Sequence, residues 1–188
     1  MSHEDGARDA ERVEQPDEVA RQVVDVVRFD GVGAALTNVG HDHTDGVGDW
    51  RRRIAEEKAG IVKPGSTFVV GERDPALEPV FQATPAKEIW RRDDDFGCAS
   101  NRLAIGGRVI DLRTPGGSYD DVFVALHGEH QGDNAAVALA AVEAFFGRPV
   151  DAELVAEALA GVRNPGRFEV VARENATGLR KKLYTLAS

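Results

Sequence analysis

Short apolar runs separated by glycine-rich polar segments mark the first part of the chain. Residues 34–39 are apolar and bounded by glycines, which is typical of a buried strand in a parallel sheet. Residues 67–70 are the next strand of this kind. Residues 19–29 are apolar at mixed spacing, so the pattern leaves helix and strand equally open there.

Between the two strands the pattern predicts a helix over residues 50–59. Asp49 is placed to be its N-cap, because a short carboxylate can accept a hydrogen bond from a free backbone N–H of the first turn. Gly60 follows as the C′ residue, and Pro64 prevents the helix from continuing.

In the second half of the chain, the pattern predicts antiparallel strands followed by helices. Residues 102–105 and 108–112 flank a Gly-Gly pair and predict a hairpin, to which residues 121–126 add a third antiparallel strand. A helix over residues 134–146 is apolar nearly all round and is therefore expected to be buried. Gly147 ends this helix, and Asp151 caps a further helix that ends near Gly161.

Strand–helix units with an antiparallel insert predict an α/β fold: parallel strands with helices, plus a small antiparallel β subdomain. We divide the chain into a disordered acidic tail (1–18), one partial domain (19–163) and a linker with the truncated or divergent start of a C-terminal domain (164–188). A parallel sheet without its first strands is expected to expose the edge of its central strand.

Composition narrows the function classes. The 188 residues carry a net charge of −9 and no long basic run, which argues against nucleic acid as a partner. The single cysteine, Cys98, excludes an internal disulfide and thiolate metal cages. No apolar run is long enough to cross a bilayer, so we predict a soluble, cytoplasmic protein without a membrane partner.

Two polar clusters stand at loop-to-helix junctions, where α/β folds place their ligands. In the first, His43 is a candidate metal ligand, although on its own a loop histidine hydrogen-bonded to backbone is the simpler explanation. Lys58, on the last turn of the following helix, could react with carbon dioxide to form a carbamate that binds metal; a surface lysine near a helix C-terminus is the simpler alternative. The second cluster covers residues 127–134.

One alternative is a metallohydrolase. His41, His43 and Asp45 resemble part of the H-x-H-x-D-H loop of metallo-β-lactamase-type hydrolases, but Gly46 replaces the last histidine, so one zinc ligand is missing.

Three motifs carry a more specific resemblance. The first comprises residues 37–44, Thr-Asn-Val-Gly-His-Asp-His-Thr, and 54–65, Ile-Ala-Glu-Glu-Lys-Ala-Gly-Ile-Val-Lys-Pro-Gly. The second begins Leu-His-Gly-Glu-His-Gln-Gly-Asp-Asn at residue 126, and the third is Asn-Pro-Gly-Arg-Phe-Glu at residues 164–169. In order and spacing they closely resemble the folylpolyglutamate synthase family, which includes bifunctional dihydrofolate synthases and belongs to the Mur ligase superfamily.

The resemblance implies an ATP-dependent ligase, usually monomeric, that joins L-glutamate to a carboxylate of folate or dihydropteroate. By the same resemblance His43 would bind Mg²⁺ and Lys58 would be the carbamylated lysine. Asn134 would contact the adenine of ATP and Arg167 would reach the phosphates. His41 replaces the family's usual aliphatic residue and receives no role.

The sequence departs from the family in two further places. No Gly-Lys-Ser/Thr phosphate loop precedes the first motif, and the first lysine of the chain is Lys58. Arg180 stands where the family pattern has an aspartate. We therefore expect a central-domain fragment that is inactive alone, and the alternative is a non-catalytic remnant that binds a partner chain.

Overall fold

The structure is a computed structural model that describes residues 26–29, 33–40 and 48–163. Seven strands and four helices, in chain order, are β1 (Val26–Phe29), β2 (Gly33–Leu36), α1 (Trp50–Ala59), β3 (Thr67–Val70), α2 (Glu78–Gln82), β4 (Glu88–Arg91), β5 (Gly97–Ala104), β6 (Gly107–Thr114), β7 (Gly117–Val124), α3 (His130–Phe146) and α4 (Ala152–Gly161). The predictions for residues 1–18 and 164–188 lie outside the described ranges.

The first four strands form one sheet in the order β1-β2-β3-β4. β2, β3 and β4 are parallel, and β1 pairs antiparallel with β2. β1 thus settles part of the open 19–29 segment as strand. It also corrects the expectation of an exposed central edge, because all four residues of β2 pair with β1.

Alternation of side chains along β2 and β3 divides the core between the two faces of this sheet. Leu36 and Phe68 point to one face and pack against α1 and α2, whereas Ala35 and Val69 point to the other face. α1 has the predicted bounds. Its two ends differ from prediction: the Asp49 side chain makes no capping hydrogen bond within the described residues, and Gly60 is right-handed helical (φ −60°) rather than left-handed.

β5, β6 and β7 form a separate antiparallel sheet, which confirms the predicted hairpin and third strand. α3 packs against β2 and β3 on one side and against β5 and β6 on the other, so it lies between the two sheets. Ten of its 17 residues are buried as expected, but Val142, Phe145 and Phe146 are exposed near its C-terminal end.

The ends of the last two helices follow the sequence. Gly147 has φ 63°, the left-handed conformation that glycine adopts without strain, and its N–H donates to the carbonyl of Glu143. Asp151 caps α4 by accepting a hydrogen bond from the N–H of Glu153 at 2.9 Å. Within the described residues, no helix combines the length and the apolar character needed to cross a membrane.

Candidate functional site

The carboxyl ends of β2, β3 and β4 meet at one edge of the parallel sheet, which we call the carboxyl edge. The register pairs Leu36 with Val70 and Val70 with Arg91, so the three strands end side by side. α3 crosses the same sheet and contacts β2 and β3. In open α/β sheets this edge is where ligands bind.

Gly71 directly follows β3 at this edge. Its N–H donates to the carbonyl of Leu36 at 2.7 Å, which extends the β2–β3 pairing by one residue. A Cβ atom here would lie 2.5 Å from the carbonyl oxygen of Thr37 and 2.8 Å from Cγ2 of Val137. Only glycine therefore lets β2, β3 and α3 approach one another this closely.

Glu72 organises the loop that follows. Its carboxylate accepts hydrogen bonds from the N–H groups of Val39 (2.8 Å), Arg73 (2.8 Å) and Asp74 (2.9 Å), and Arg51 on α1 donates to it at 3.0 Å. Burial by itself raises the pKa of Glu72. The backbone hydrogen bonds and the charge of Arg51 outweigh burial, so this pKa lies below its ordinary value.

A second group of ion pairs joins the ends of β3 and β4 to α3. Asp133 lies 3.3 Å from Nη1 of Arg92 and 3.6 Å from Nη2 of Arg73. Arg73 also binds Asp93 through both its Nε and its Nη2, at 2.5 and 3.0 Å. The hydrogen bond to Asp93, together with the charges of Asp133 and Asp93, outweighs burial and holds the pKa of Arg73 above its usual range.

The positive and negative charges at the carboxyl edge nearly balance. Arg51 also pairs with Asp74 at 3.0 Å, so three arginines face four carboxylates and one negative charge remains in excess. Each of the four carboxylates already has an arginine partner. In the part of the chain that the structure describes, no group of three or more His, Cys, Asp or Glu residues is arranged to hold a metal ion.

Asn134 lies on α3 beside this edge, with its side chain exposed. The sequence pattern placed it at the helix start, which is wrong: α3 begins at His130, and Asn134 is in the second turn. The polar residues before Asn134 look like a loop. They are helical because tertiary contacts hold them, including a 2.7 Å hydrogen bond from Asn101 to the carbonyl of Glu129. Nδ2 of Asn134 donates to Oε1 of Gln131 at 3.2 Å.

Lys58 occupies the last turn of α1 as predicted, and it is half-buried. It follows Arg51 by seven residues, which is two helical turns, so both side chains leave the same face of α1 about 10 Å apart along the axis. Arg51 marks the end of that face nearest the carboxyl edge, because it binds Glu72 and Asp74.

The other predicted site residues, His43 and Arg167, lie outside the described residues, as does His41 of the metallohydrolase alternative. The structure adds residues that the sequence reasoning missed. These are the ion-pairing residues of the carboxyl edge, namely Arg51, Glu72, Arg73, Asp74, Arg92, Asp93 and Asp133. Most of them share one recognisable signal, since charged residues directly follow a buried or half-buried strand.

A separate polar group lies toward the opposite end of the sheet. Glu143 is 2% exposed and lines an open cavity of about 390 Å³ between α3, the start of β4 and the β6–β7 turn. Its carboxylate accepts hydrogen bonds from the hydroxyl of Tyr119 at 2.6 Å and from the N–H of Gly116 at 3.3 Å. Burial and the neighbouring carboxylate raise the pKa of Tyr119 to about 12.

The sequence and the fold of this chain are similar to those of known proteins. The chain is 38% identical over 149 residues to a dihydrofolate synthase/folylpolyglutamate synthase of Mycobacterium tuberculosis, which covers 72% of this chain and 31% of that protein. The structure of M. tuberculosis folylpolyglutamate synthase complexed with ADP superimposes with a TM-score of 0.68 at 39% identity, covering 73% of this chain and 32% of the other.

The structure of a folylpolyglutamate synthase (FPGS) in complex with AMPPCP and folate gives the same TM-score of 0.68 at 28% identity. It covers 75% of this chain and 36% of the other. The chain thus spans between 18% and 34% of the length of the curated relatives it matches. The sequence model of the Mur ligase middle domain matches residues 15–142. Because this match covers more than half of the sequence and agrees with the observed α/β fold, the chain belongs to the Mur ligase middle-domain family.

Proposed function

We propose that the chain supplies the adenine-binding part of an ATP-dependent ligase of the folylpolyglutamate synthase/dihydrofolate synthase type. The observation that carries this proposal is the exposed Asn134 amide beside the carboxyl edge, in a fold shared with a protein solved in complex with ADP. An amide offers one donor and one acceptor, which matches the amino group and ring nitrogen on one edge of adenine.

The reaction joins two substrates through an activated acid. ATP transfers its γ-phosphoryl group to a carboxylate oxygen of folate or dihydropteroate. The amine of L-glutamate then attacks the acyl carbon, an amide bond forms, and phosphate leaves with the oxygen that carried it. Support for folate comes from the FPGS complex with AMPPCP and folate, and the names of the relatives support both acids.

Three further residues receive roles by resemblance. Arg167 would bind the phosphates of ATP, where a guanidinium suits the developing charge. Lys58 would carry the carbamate, and His43 would bind Mg²⁺. By the same resemblance, the protein would act as a monomer in the cytoplasm. The described residues do not by themselves fit Mg²⁺, because the carboxylates of the carboxyl edge are already bound by arginines. We therefore assign no step to the metal.

The same charge balance bears on phosphate binding. The three arginines of the carboxyl edge are paired, and the 188 residues contain no Gly-Lys-Ser/Thr sequence. These residues thus offer adenine a partner but leave the triphosphate without a cradle of backbone N–H groups. We expect the chain alone to bind ATP weakly and to catalyse no ligation.

Equilibrium binding tests this proposal. Isothermal titration of the purified chain with ATP and Mg²⁺ should show affinity that depends on Mg²⁺ and is lost in Asn134→Ala. A phosphate-release assay with ATP, L-glutamate and dihydropteroate should show no turnover. No binding at millimolar ATP would instead favour the non-catalytic alternative, and turnover by the isolated chain would disprove the expected inactivity.

A further inference from the structure

We propose that Asp133 is a positioning residue for Asn134: by its ion pair with Arg92 it fixes the end of the first turn of α3, directly before Asn134, against the end of β4 and thereby sets the preference for adenine over guanine. This inference rests on the proposed function, in which Asn134 recognises the base. Asp133 itself touches no part of the nucleotide in this proposal.

Arg92 is the better-anchored partner of the Arg92–Asp133 ion pair. Its side chain is only 15% exposed, and its Nη1 lies 3.3 Å from Asp133. Its backbone N–H donates to the carbonyl of Val70 at 3.0 Å, which ties Arg92 to the end of β3. Nε of Arg92 is buried without a partner among the described residues. Asp133 is therefore the counter-ion that compensates the burial of this guanidinium.

Arg73 contributes less. Its side chain is 52% exposed, its distance to Asp133 is 3.6 Å, and it already makes a two-pronged ion pair with Asp93. Exposed pairs at such distances stabilise little because water screens them. The link between α3 and the sheet therefore depends mainly on Arg92.

Asn134 needs an anchor outside its own helix. Its hydrogen bond to Gln131 orients the amide relative to α3, but Gln131 is part of α3 and moves with it. The bond from Asn101 holds the N-cap residue, Glu129, against β5. Asp133, directly before Asn134, holds the end of the first turn to the parallel sheet at its carboxyl edge.

The base preference follows from amide geometry. An asparagine amide accepts from the N6 amino group of adenine and donates to N7, whereas guanine presents an acceptor oxygen in place of the amino group. A displaced amide loses both hydrogen bonds to adenine and also its repulsion of guanine. Loss of the anchor should therefore lower the ratio of the two affinities as well as the affinity itself.

The first test compares two charge-neutralising substitutions. Asp133→Asn and Arg92→Met should weaken ADP binding by about tenfold and lower the preference for ADP over GDP, as measured by competition with a fluorescent ADP analogue. Asp121→Asn is the matched control, because Asp121 also pairs with an arginine, Arg102 at 2.6 Å on the antiparallel sheet, and its φ of 55° tolerates asparagine. It should leave the preference unchanged.

If Asp133→Asn and Arg92→Met lower the urea midpoint but keep the wild-type preference, Asp133 is merely structural and the inference is wrong. A second measurement needs no nucleotide: the side-chain amide signals of Asn134 in a ¹H–¹⁵N spectrum, identified by their loss in Asn134→Ala, should shift in Arg92→Met, which leaves the residue next to Asn134 unchanged, and stay in place in Asp121→Asn. Unmoved signals would also overturn it. Failure of the wild-type chain to bind ADP would contradict the proposed function, whereas these signals still decide whether Asp133 positions Asn134.

Discussion

The hydroxyl of Tyr119 lies 2.6 Å from Oε1 of Glu143 and 2.9 Å from the carbonyl oxygen of Val150. This contact joins β7 to α3 and to the segment that leads into α4. Glu143 has no cationic partner among the described residues, so the donors Tyr119 and Gly116 compensate for its burial. A buried carboxylate that loses a donor keeps its desolvation cost.

We expect Tyr119→Phe to lower the free energy of unfolding by about 1–3 kcal/mol, because it removes a hydrogen bond to a buried carboxylate and leaves the ring in place. Urea denaturation measures this difference. Glu157→Gln, an exposed change on α4, is the control and should leave the urea midpoint unchanged. Equal stability of Tyr119→Phe and the wild type would show that the bond contributes nothing.

The raised pKa of Tyr119 predicts a loss of stability in alkali. Below about pH 10 the phenol is neutral in both states. Between there and its folded pKa of about 12 the unfolded chain releases the proton and the folded chain retains it, so unfolding becomes easier as pH rises. This part of the pH dependence should disappear in Tyr119→Phe. The chain has two tyrosines, so tyrosinate absorbance should show a late transition that Tyr119→Phe lacks.

Gly71→Ala should destabilise the fold by about 1–3 kcal/mol, as overpacking of a rigid contact does. The nearest atom to the new Cβ is a backbone oxygen, that of Thr37 at 2.5 Å, which cannot turn aside as a side chain would. Gly161→Ala is the matched control, because nothing lies within 4 Å of its added Cβ. If Gly71→Ala and Gly161→Ala both melt at the same temperature as the wild type, the close approach at Gly71 is contradicted.

Glu72→Gln should weaken the fold at neutral pH by about 1–3 kcal/mol, since a neutral amide accepts the three backbone hydrogen bonds less strongly. The pKa of Glu72 is lowered on folding, so its contribution is present above its ordinary pKa of 4.5 and is lost as pH falls through the lower folded value. Urea midpoints measured from neutral pH into acid should therefore fall more for the wild type than for Glu72→Gln. Glu57→Gln, an exposed change on α1, should follow the wild type.

Carbamylation of Lys58 can be observed directly. In buffer containing ¹³C-bicarbonate, the chain should show a carbamate carbon signal that Lys58→Arg abolishes, because the always-protonated guanidinium does not form a carbamate. Lys63→Arg is the control, as Lys63 is exposed. A signal that survives Lys58→Arg would place the modification elsewhere, and the absence of any signal would refute it for the isolated chain.

The sequence predicted those elements whose cause is local. β2, β3, the β5–β6 hairpin and the bounds of α1 follow from side-chain periodicity and turn residues. Two elements were not predicted. α2 is five residues long and contains Pro79, and β4 is four residues long with only half-buried apolar side chains, so neither leaves a periodic pattern.

The site was predictable only in part. Asn134 and Lys58 were named because their motifs resemble a family, and the structure places both on the expected helices. Asp133 and Arg92 were not named, since an ion pair between residues 41 positions apart has no trace in one sequence. Their partnership exists only because α3 crosses the sheet near the end of β4.

The position of α3 between the two sheets has a consequence for how the molecule opens. One core cluster contains residues of the parallel sheet, of α3 and of the antiparallel sheet. Neither sheet can separate without exposing the apolar side of the same helix, so the opening of either sheet loses part of this shared cluster. We therefore expect the central amides of α3, such as those of Ala136 and Ala140, to be among the slowest to exchange with solvent.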